Sequence, residues 1–271
     1  MRLRADLTEG IAVDTVRKIV IFLSRMNKRR CVIRATPTDF IVLNDSSTSR
    51  NYWIEVKIKQ EEMFGEYDVG GLTPDEDEIY MDLSASDLSQ ALSGVDSMIK
   101  LRLTREGTVP HLSVKTETVN NSIPVTLLMM RQWAEYQRTI PTDAVLIGIY
   151  LPAIKTVQKI MNSIKNSGAI HVALIANFRG EFEISSRTDT TRVSVCITDL
   201  QSERYPLSMN LGEEYHVRTV LDCKHFHNFI SNIPNFYTYL FMQIDQIGNA
   251  YFSTSQADSS LSAALPGHNR V

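Results

Sequence analysis

The chain has 271 residues, 43% of them hydrophobic and 22% charged, with a formal net charge of −3. This is the composition of a globular protein with a real core, long enough for two domains of about 130 residues each. It excludes whole-protein basicity as a nucleic-acid signal, so any such signal must be local.

The first half opens with a short alternating segment, Met1 to Leu7, that reads as a strand. An amphipathic run from Val13 to Met26 follows, with Val13, Val16, Val20 and Leu23 at helical spacing as the buried stripe. Arg17, Lys18 and Arg25 are left on its wet side, and Lys28, Arg29 and Arg30 come directly after it. Strands are predicted at Cys31–Ala35, Phe40–Asn44, Tyr52–Ile58, Glu66–Val69 and Glu78–Leu83. Pro37, the polar tract Asp45–Asn51, Gly70-Gly71 and the acidic Asp75–Glu78 separate them as turns. The spacing is too short for helical crossovers, so the sheet is expected to be antiparallel. Ser84 to Asp87 has a capping-box pattern that starts a second helix running to Val95, with Leu88, Ala91 and Leu92 buried. Lys100–Leu103 and His111–Lys115 close the half as strands about a turn at Gly107.

Thr118 to Asp143 reads as a linker, because the same order of elements restarts after it. A strand at Leu146–Leu151 leads to a helix over Pro152–Lys165, with Pro152 in the first turn and Ile154, Val157, Met161 and Ile164 as its apolar stripe. Lys155, Lys159 and Asn162 share another face of that helix. Strands are predicted at His171–Ala176, Glu181–Ser185, Arg192–Thr198 and Tyr215–Val220, and a hairpin turn at Asn177–Gly180. A helix over Asp222–Asn232 buries Phe226, Phe229 and Ile230, and strands at Phe236–Asp245 and Ala250–Thr254 finish the sheet around Gly248. The small, polar tail from Ser255 is expected to be partly disordered. Each half is an α+β domain in the order strand, helix, strands, helix, strands. The domains are taken as 1–117 and 144–271, joined by 118–143.

Cys31, Cys196 and Cys223 are odd in number and widely spaced, which fits free thiols in a reducing compartment. The N-terminus MRLRADLTEG lacks an apolar core and no run of about 18 apolar residues occurs, so neither a signal peptide nor a membrane span is expected.

The basic residues of the helices, Arg17, Lys18 and Arg25, then Lys155 and Lys159, then Lys224 and His225, suggest a local cationic surface. Such side chains neutralise phosphates without reading sequence. The plainer reading is that any surface helix carries lysines on its wet face. His225 and His227 are two apart on a helix and point to different sides, so they do not share a metal; His111, His171, His216 and His268 are isolated. The acidic cluster Asp75, Glu76, Asp77 and Glu78 reads as a solvated loop before it reads as a cation site. The sequence contains no phosphate-binding loop, no nucleophile elbow and no zinc-protease helix, so no catalytic residue, metal or cofactor is assigned. Leu127, Leu128, Met129, Met130 and Trp133 make the linker unusually apolar. They either pack on the domains or offer an adaptable contact to another protein.

The two-half alternation resembles the sliding clamp fold of the proliferating cell nuclear antigen class. MRLRADLTEG, EIYMDLSASDLSQAL at 78–92, GIYLPAIKTVQKIMNSIK at 148–165 and HVALIANFRGEFEI at 171–184 further resemble the Hus subunit of the nine-one-one DNA-damage checkpoint clamp. The likeness spans essentially the whole chain. It implies a nuclear, non-enzymatic ring of three different subunits, in which this chain joins two Rad-type partners. A clamp loader places such rings around double-stranded DNA, with helices lining the hole and sheets outside. By position, Lys18, Arg25, Lys155, Lys159 and Lys224 would then face the duplex. Edge-strand pairing would fall to Leu112 and Val114 in one half and to Val193 and Val195 in the other. Leu127, Leu128, Met129 and Met130, with the groove beside them, would be where repair and checkpoint proteins dock. A homotrimeric replication clamp is the nearest alternative, and an enzyme on the same frame is a third. The family's last strand should fall near Ser259–Leu265, where SSLSAAL is smaller and less hydrophobic than expected, and Lys28 to Arg30 have no counterpart.

Overall fold

The computed structural model describes residues 1–45, 52–71, 77–256 and 258–268. All but Asp45 of the turn expected over Asp45–Asn51, and Asp75 and Glu76 of the acidic cluster, lie outside them. The chain divides into two compact units. One comprises Met1–Ser46, Ile54–Arg138 and Ser255–Leu261; the other comprises Ser47–Trp53, Thr139–Thr254 and Ser262–Val271.

In the first unit, β1 (Arg2–Leu7) lies between β5 (Glu66–Gly70) and β7 (Ile99–Glu106). Next come β8 (Val109–Lys115) and β9 (Asn120–Pro124), in a five-stranded antiparallel sheet. A second group runs β10 (Thr126–Leu127), β6 (Ile79–Leu83), β2 (Cys31–Ala35), β3 (Asp39–Asp45) and β4 (Trp53–Lys59).

Helix α1 (Gly10–Met26) packs on α3 (Ala85–Ala91) and touches β1 and β3, one strand of each group. The predicted stripe Val13, Val16, Val20 and Leu23 is buried, together with Ile19 and Phe22. Each fully buried side chain of this size contributes about 1.5–3 kcal/mol relative to exposure. The buried Asn44 of β3 donates from Nδ2 to the Leu23 carbonyl at 2.8 Å, a second donor to the acceptor that the Asn27 N–H already reaches at the end of α1. Ser84 caps α3, its Oγ accepting the Asp87 N–H. The short helix α2 (Gln60–Met63) went unforeseen.

The second unit repeats the scheme. The sheet β14 (Arg192–Ile197), β13 (Phe182–Arg187), β12 (His171–Ala176) and β16 (Val217–Asp222) is antiparallel throughout. The other group runs β15 (Ser202–Arg204), β11 (Val145–Tyr150), β17 (Phe241–Asp245), β18 (Ala250–Gln256) and β19 (Ser259–Leu265). Helices α5 (Ile154–Asn166) and α6 (Cys223–Asn232) pack on each other, α5 against β13 and α6 against β12 and β16. Phe226 and Phe229 both pack on Phe252, at ring-centroid separations of 5.5 and 5.3 Å.

Three expectations are corrected. Among its described residues the tail from Ser255 continues β18 and then forms β19, where Ser259, Leu261, Ala263 and Leu265 alternate inward; the side chains are small, but every second one is buried, and positions 257 and 269–271 lie outside the described residues. Phe236 to Leu240 is not strand, and the ladder begins at Phe241. Pro152 precedes the α5 N-cap, Ala153, and so lies outside the first turn. The linker too is largely structured: it contains β9, β10 and the single-turn helix α4 (Met130–Trp133).

Candidate nucleic-acid interface

The helix pairs are where the sequence placed its cationic residues, and the two units differ there. On α1, Lys18 Nζ lies 2.6 Å from Asp14 Oδ2, and Arg17 Nη2 lies 2.7 Å from Asp14 Oδ1. Arg17 also approaches Asp96 at 3.7 Å. Hydrogen bonds from Lys18 and then Arg17 hold the Asp14 carboxyl below its ordinary range. A cation already paired at i−4 has less field to offer a phosphate, so Lys18 is a partly neutralised site. Arg25 is exposed in the last turn of α1, and Lys28 and Arg29 are exposed just after it. The exposed face of α3 presents Ser86, Asp87 and Gln90, and no base.

Helices α5 and α6 are different: they carry Lys155, Lys159, Lys165 and Lys224, all exposed, and no carboxylate within either helix. None of the four makes an ion pair among the described residues. The helices are braced across their interface by Gln158 Nε2 donating to the Ile230 carbonyl at 2.9 Å and by His227 Nε2 2.7 Å from Asn162 Oδ1. Burial, reinforced by Lys165, pushes the His227 imidazole below its ordinary value, so it packs as a neutral ring. Lys165 was missed in the sequence. It lies ten residues beyond Lys155, about 2.8 turns, which leaves it roughly 80° round the helix from Lys155, on the flank nearer the buried stripe.

Of the residues expected at the sheet edges, Leu112 and Val114 are fully buried on β8. That strand is not an edge: β9 pairs along its far side, with Leu112 opposite Ile123 and Val114 opposite Asn121. The prediction failed because the polar run NNSIP gives no strand signal. Val193 and Val195 are half-buried on β14, which does end its sheet.

The four linker residues separate as well. Leu128 is buried and its N–H donates to the Tyr80 carbonyl at 2.9 Å, Leu127 is half-buried on β10, and Met129 and Met130 are 59% and 62% exposed. Trp133 is the principal anchor, 2% exposed, 5.5 Å from the Tyr80 ring and under the Arg34 guanidinium at 5.8 Å. Arg34 in turn forks onto Glu78 at 2.9 and 2.8 Å and holds that carboxyl below its ordinary range. Arg30 binds Asp82 at 2.7 Å, donates to the Tyr136 hydroxyl and lies over the Tyr136 ring. Of the unassigned basic triplet, therefore, Arg30 fastens the linker to the sheet. Beside it, Met1, Leu103, Pro110, Leu127, Leu128 and Met129 line a shallow groove of about 450 Å³.

Among the described residues, no group of three or more His, Cys, Asp or Glu side chains could hold a metal ion, and no helix is long and apolar enough to cross a membrane. Cys31 and Cys223 are buried and Cys196 is exposed, all as free thiols.

The chain is similar to known proteins in sequence and in fold. The human checkpoint protein HUS1 is 26% identical over 212 residues, which cover 74% of each chain. The checkpoint protein Hus1-like of Drosophila melanogaster is 24% identical over 210 residues, covering 72% of this chain and 74% of that one. Among solved structures, the PCNA of Thermococcus kodakaraensis superposes with a TM-score of 0.72 at 8% identity, over 98% of this chain and 100% of that one. The proliferating cell nuclear antigen of Entamoeba histolytica also gives 0.72, at 14% identity and over 98% of each. Likeness at such low identity establishes the fold, that of the PCNA-like clamps. The model of the Hus1-like protein family matches residues 1–249, and the chain belongs to that family.

Proposed function

We propose that this chain is a non-catalytic subunit of a heterotrimeric ring clamp that encircles double-stranded DNA at damage sites in the nucleus and serves there as a platform for checkpoint and repair proteins. Residues 1–117 and 144–271 form its two clamp domains, and 118–143 the connector. Two Rad-type subunits complete the ring, and a clamp loader opens and closes it. Encirclement gives retention without sequence readout, and mobile cationic side chains let the ring slide.

The observation that carries the reading is the face of α5 and α6, where Lys155, Lys159, Lys165 and Lys224 stand exposed with no carboxylate among them. Lys18 and Arg25 add to this lining with a smaller share from Lys18, since Asp14 offsets its charge. Val193 and Val195, half-buried on a terminal strand, suit a subunit joint. Met129 and Met130 at the groove are the exposed part of the connector and the part a partner protein would touch.

The test is retention of the assembled ring on circular duplex DNA as a function of salt. Replacing Lys155→Ala with Lys159→Ala should weaken retention and reduce the slope of log affinity against log salt by up to about 0.9 for each phosphate left without its lysine. Unchanged retention with an unchanged slope would overturn the assignment of these lysines.

A further inference from the structure

Strand β11 reads VLIGIY, and its two faces differ. Ile147 and Ile149 face the core with Met242 and Ile244 of β17, all four fully buried. Gly148 and Tyr150 face the other way. The register sets Gly148 between Glu203 of β15 and Gln243 of β17, and Tyr150 beside Phe241. A glycine inside a strand marks a close approach. Here a Cβ on Gly148 would meet Phe241 Cζ at 2.4 Å and Tyr205 Cε2 at 3.2 Å, so the bare Cα is what lets both rings lie down on the sheet. From Phe241 the ribbon of rings continues to Tyr150 at a centroid separation of 4.7 Å, and from Tyr150 to Tyr239 at 6.1 Å. Tyr205, Phe241 and Tyr150 are half-buried and Tyr239 is exposed, and the turn after Tyr205 adds the exposed Leu207 and Met209. Gln243 Nε2 donates to the Tyr205 hydroxyl and fixes that ring, whereas the Tyr150 hydroxyl takes part in no hydrogen bond among the described residues. Glu203 makes no ion pair among them, and its neighbour Arg204 is committed elsewhere, donating to the Leu211 carbonyl at 2.8 Å and lying 4.2 Å over the Phe178 ring. The charge beside the ribbon is therefore negative.

We infer that this ribbon of rings is a docking surface for an extended, proline-rich peptide that carries a basic residue. Three features select that occupant. A ribbon one ring wide fits a single extended chain and not the broad face of a folded protein. A polyproline II chain has no internal hydrogen bonds and lays rigid pyrrolidine rings on aromatic side chains, and its carbonyls take a donor such as the Tyr150 hydroxyl. Glu203 complements a cation and so orients the chain, adding selectivity more than affinity. The surface shares no residue with the groove beside the connector, and it goes beyond the ring reading without resting on it. The bland alternative is that the rings only stabilise the cross-strand pairs beneath them.

The test titrates the full chain with a synthetic probe, octaproline followed by a pair of arginines, and reads binding by calorimetry and by the amide shifts of a deuterated sample. The expected result is saturable binding that shifts the amides of Gly148, Tyr150 and Phe241, with Tyr239→Ala weaker by about tenfold and Glu203→Lys by about threefold. Thermal melting establishes that each variant is folded, and the shift map on the wild type needs no variant. Absence of saturable binding, shifts confined to positions 127–129, or unchanged affinity in either folded variant would overturn the inference. So would equal binding of a probe with glycine for proline, which leaves only charge, or of one with glutamate for arginine. A wild-type chain that self-associates in light scattering where Tyr239→Ala does not would assign the face to a second copy and overturn it as well. Because binding is read on the chain alone, its failure leaves the ring reading standing, and a failure of ring assembly leaves the inference standing.

Discussion

Trp133→Ala should unfasten the connector while leaving the two units folded. Truncating a buried tryptophan costs about 3–5 kcal/mol where packing is complete. Here Trp133 is 2% exposed against Tyr80 and Arg34, but its buried Nε1 has no acceptor among the described residues. Removing a buried donor that lacks a partner returns about 1–3 kcal/mol, which leaves a net loss of roughly 2 kcal/mol. The loss falls on a short segment held otherwise by β10, the Leu128–Tyr80 bond and the Arg30–Tyr136 contact. It should therefore appear as local opening, with an open population raised roughly thirtyfold. Limited trypsin digestion reads this at Arg131, which is exposed on α4. Trp133→Phe keeps most of the ring packing and drops the orphan donor, so it should stay within about 1 kcal/mol of wild type. Cleavage of Trp133→Ala at Arg131 no faster than wild type would refute the claim that this side chain is the fastener.

Two further predictions concern single positions. Gly180 has φ of +81°, and a Cβ there would lie 2.0 Å from the Leu200 carbonyl oxygen, so Gly180→Ala should destabilise the second unit by about 3 kcal/mol, read as a lowered denaturant midpoint. Because Arg34 depresses the Glu78 pKa in the folded chain, the stabilisation this pair gives is present above the ordinary carboxylate range and is lost as pH falls through the folded value. Melting temperature should accordingly fall more steeply between about pH 5 and about pH 3 in wild type than in Glu78→Gln, and equal slopes would count against the coupling.

Much of the fold was legible because burial and periodicity agree in it. The stripes of α1 and α5 are buried as their spacing predicts, and Ser84 caps α3 as its pattern predicts. What was missed carries little hydrophobic signal. In β9 only Ile123 is buried, β15 is three residues paired to β11, and α2 and α4 are single turns too short for a period to show. Phe236 to Leu240 misled in the opposite sense, since Tyr237 and Leu240 are buried without belonging to a ladder. At the candidate site, the pairing of Asp14 with Lys18 was overlooked, although their i, i+4 spacing stands in the sequence. The burial of Leu112 and Val114 was not visible, because it depends on a strand the sequence hides. Nor was the commitment of Arg30, which depends on the connector folding back to place Tyr136 beside it.

The central claim, that this is one subunit of a ring of three different chains, is tested most directly by mass in solution. Light scattering after gel filtration, over a range of concentrations, should give a monomer near 30.7 kDa for the chain alone. With the two Rad-type subunits added, it should give a one-to-one-to-one complex. A chain that by itself reaches about three times its monomer mass, as closed cyclic symmetry requires, would contradict the account and mark a self-assembling clamp.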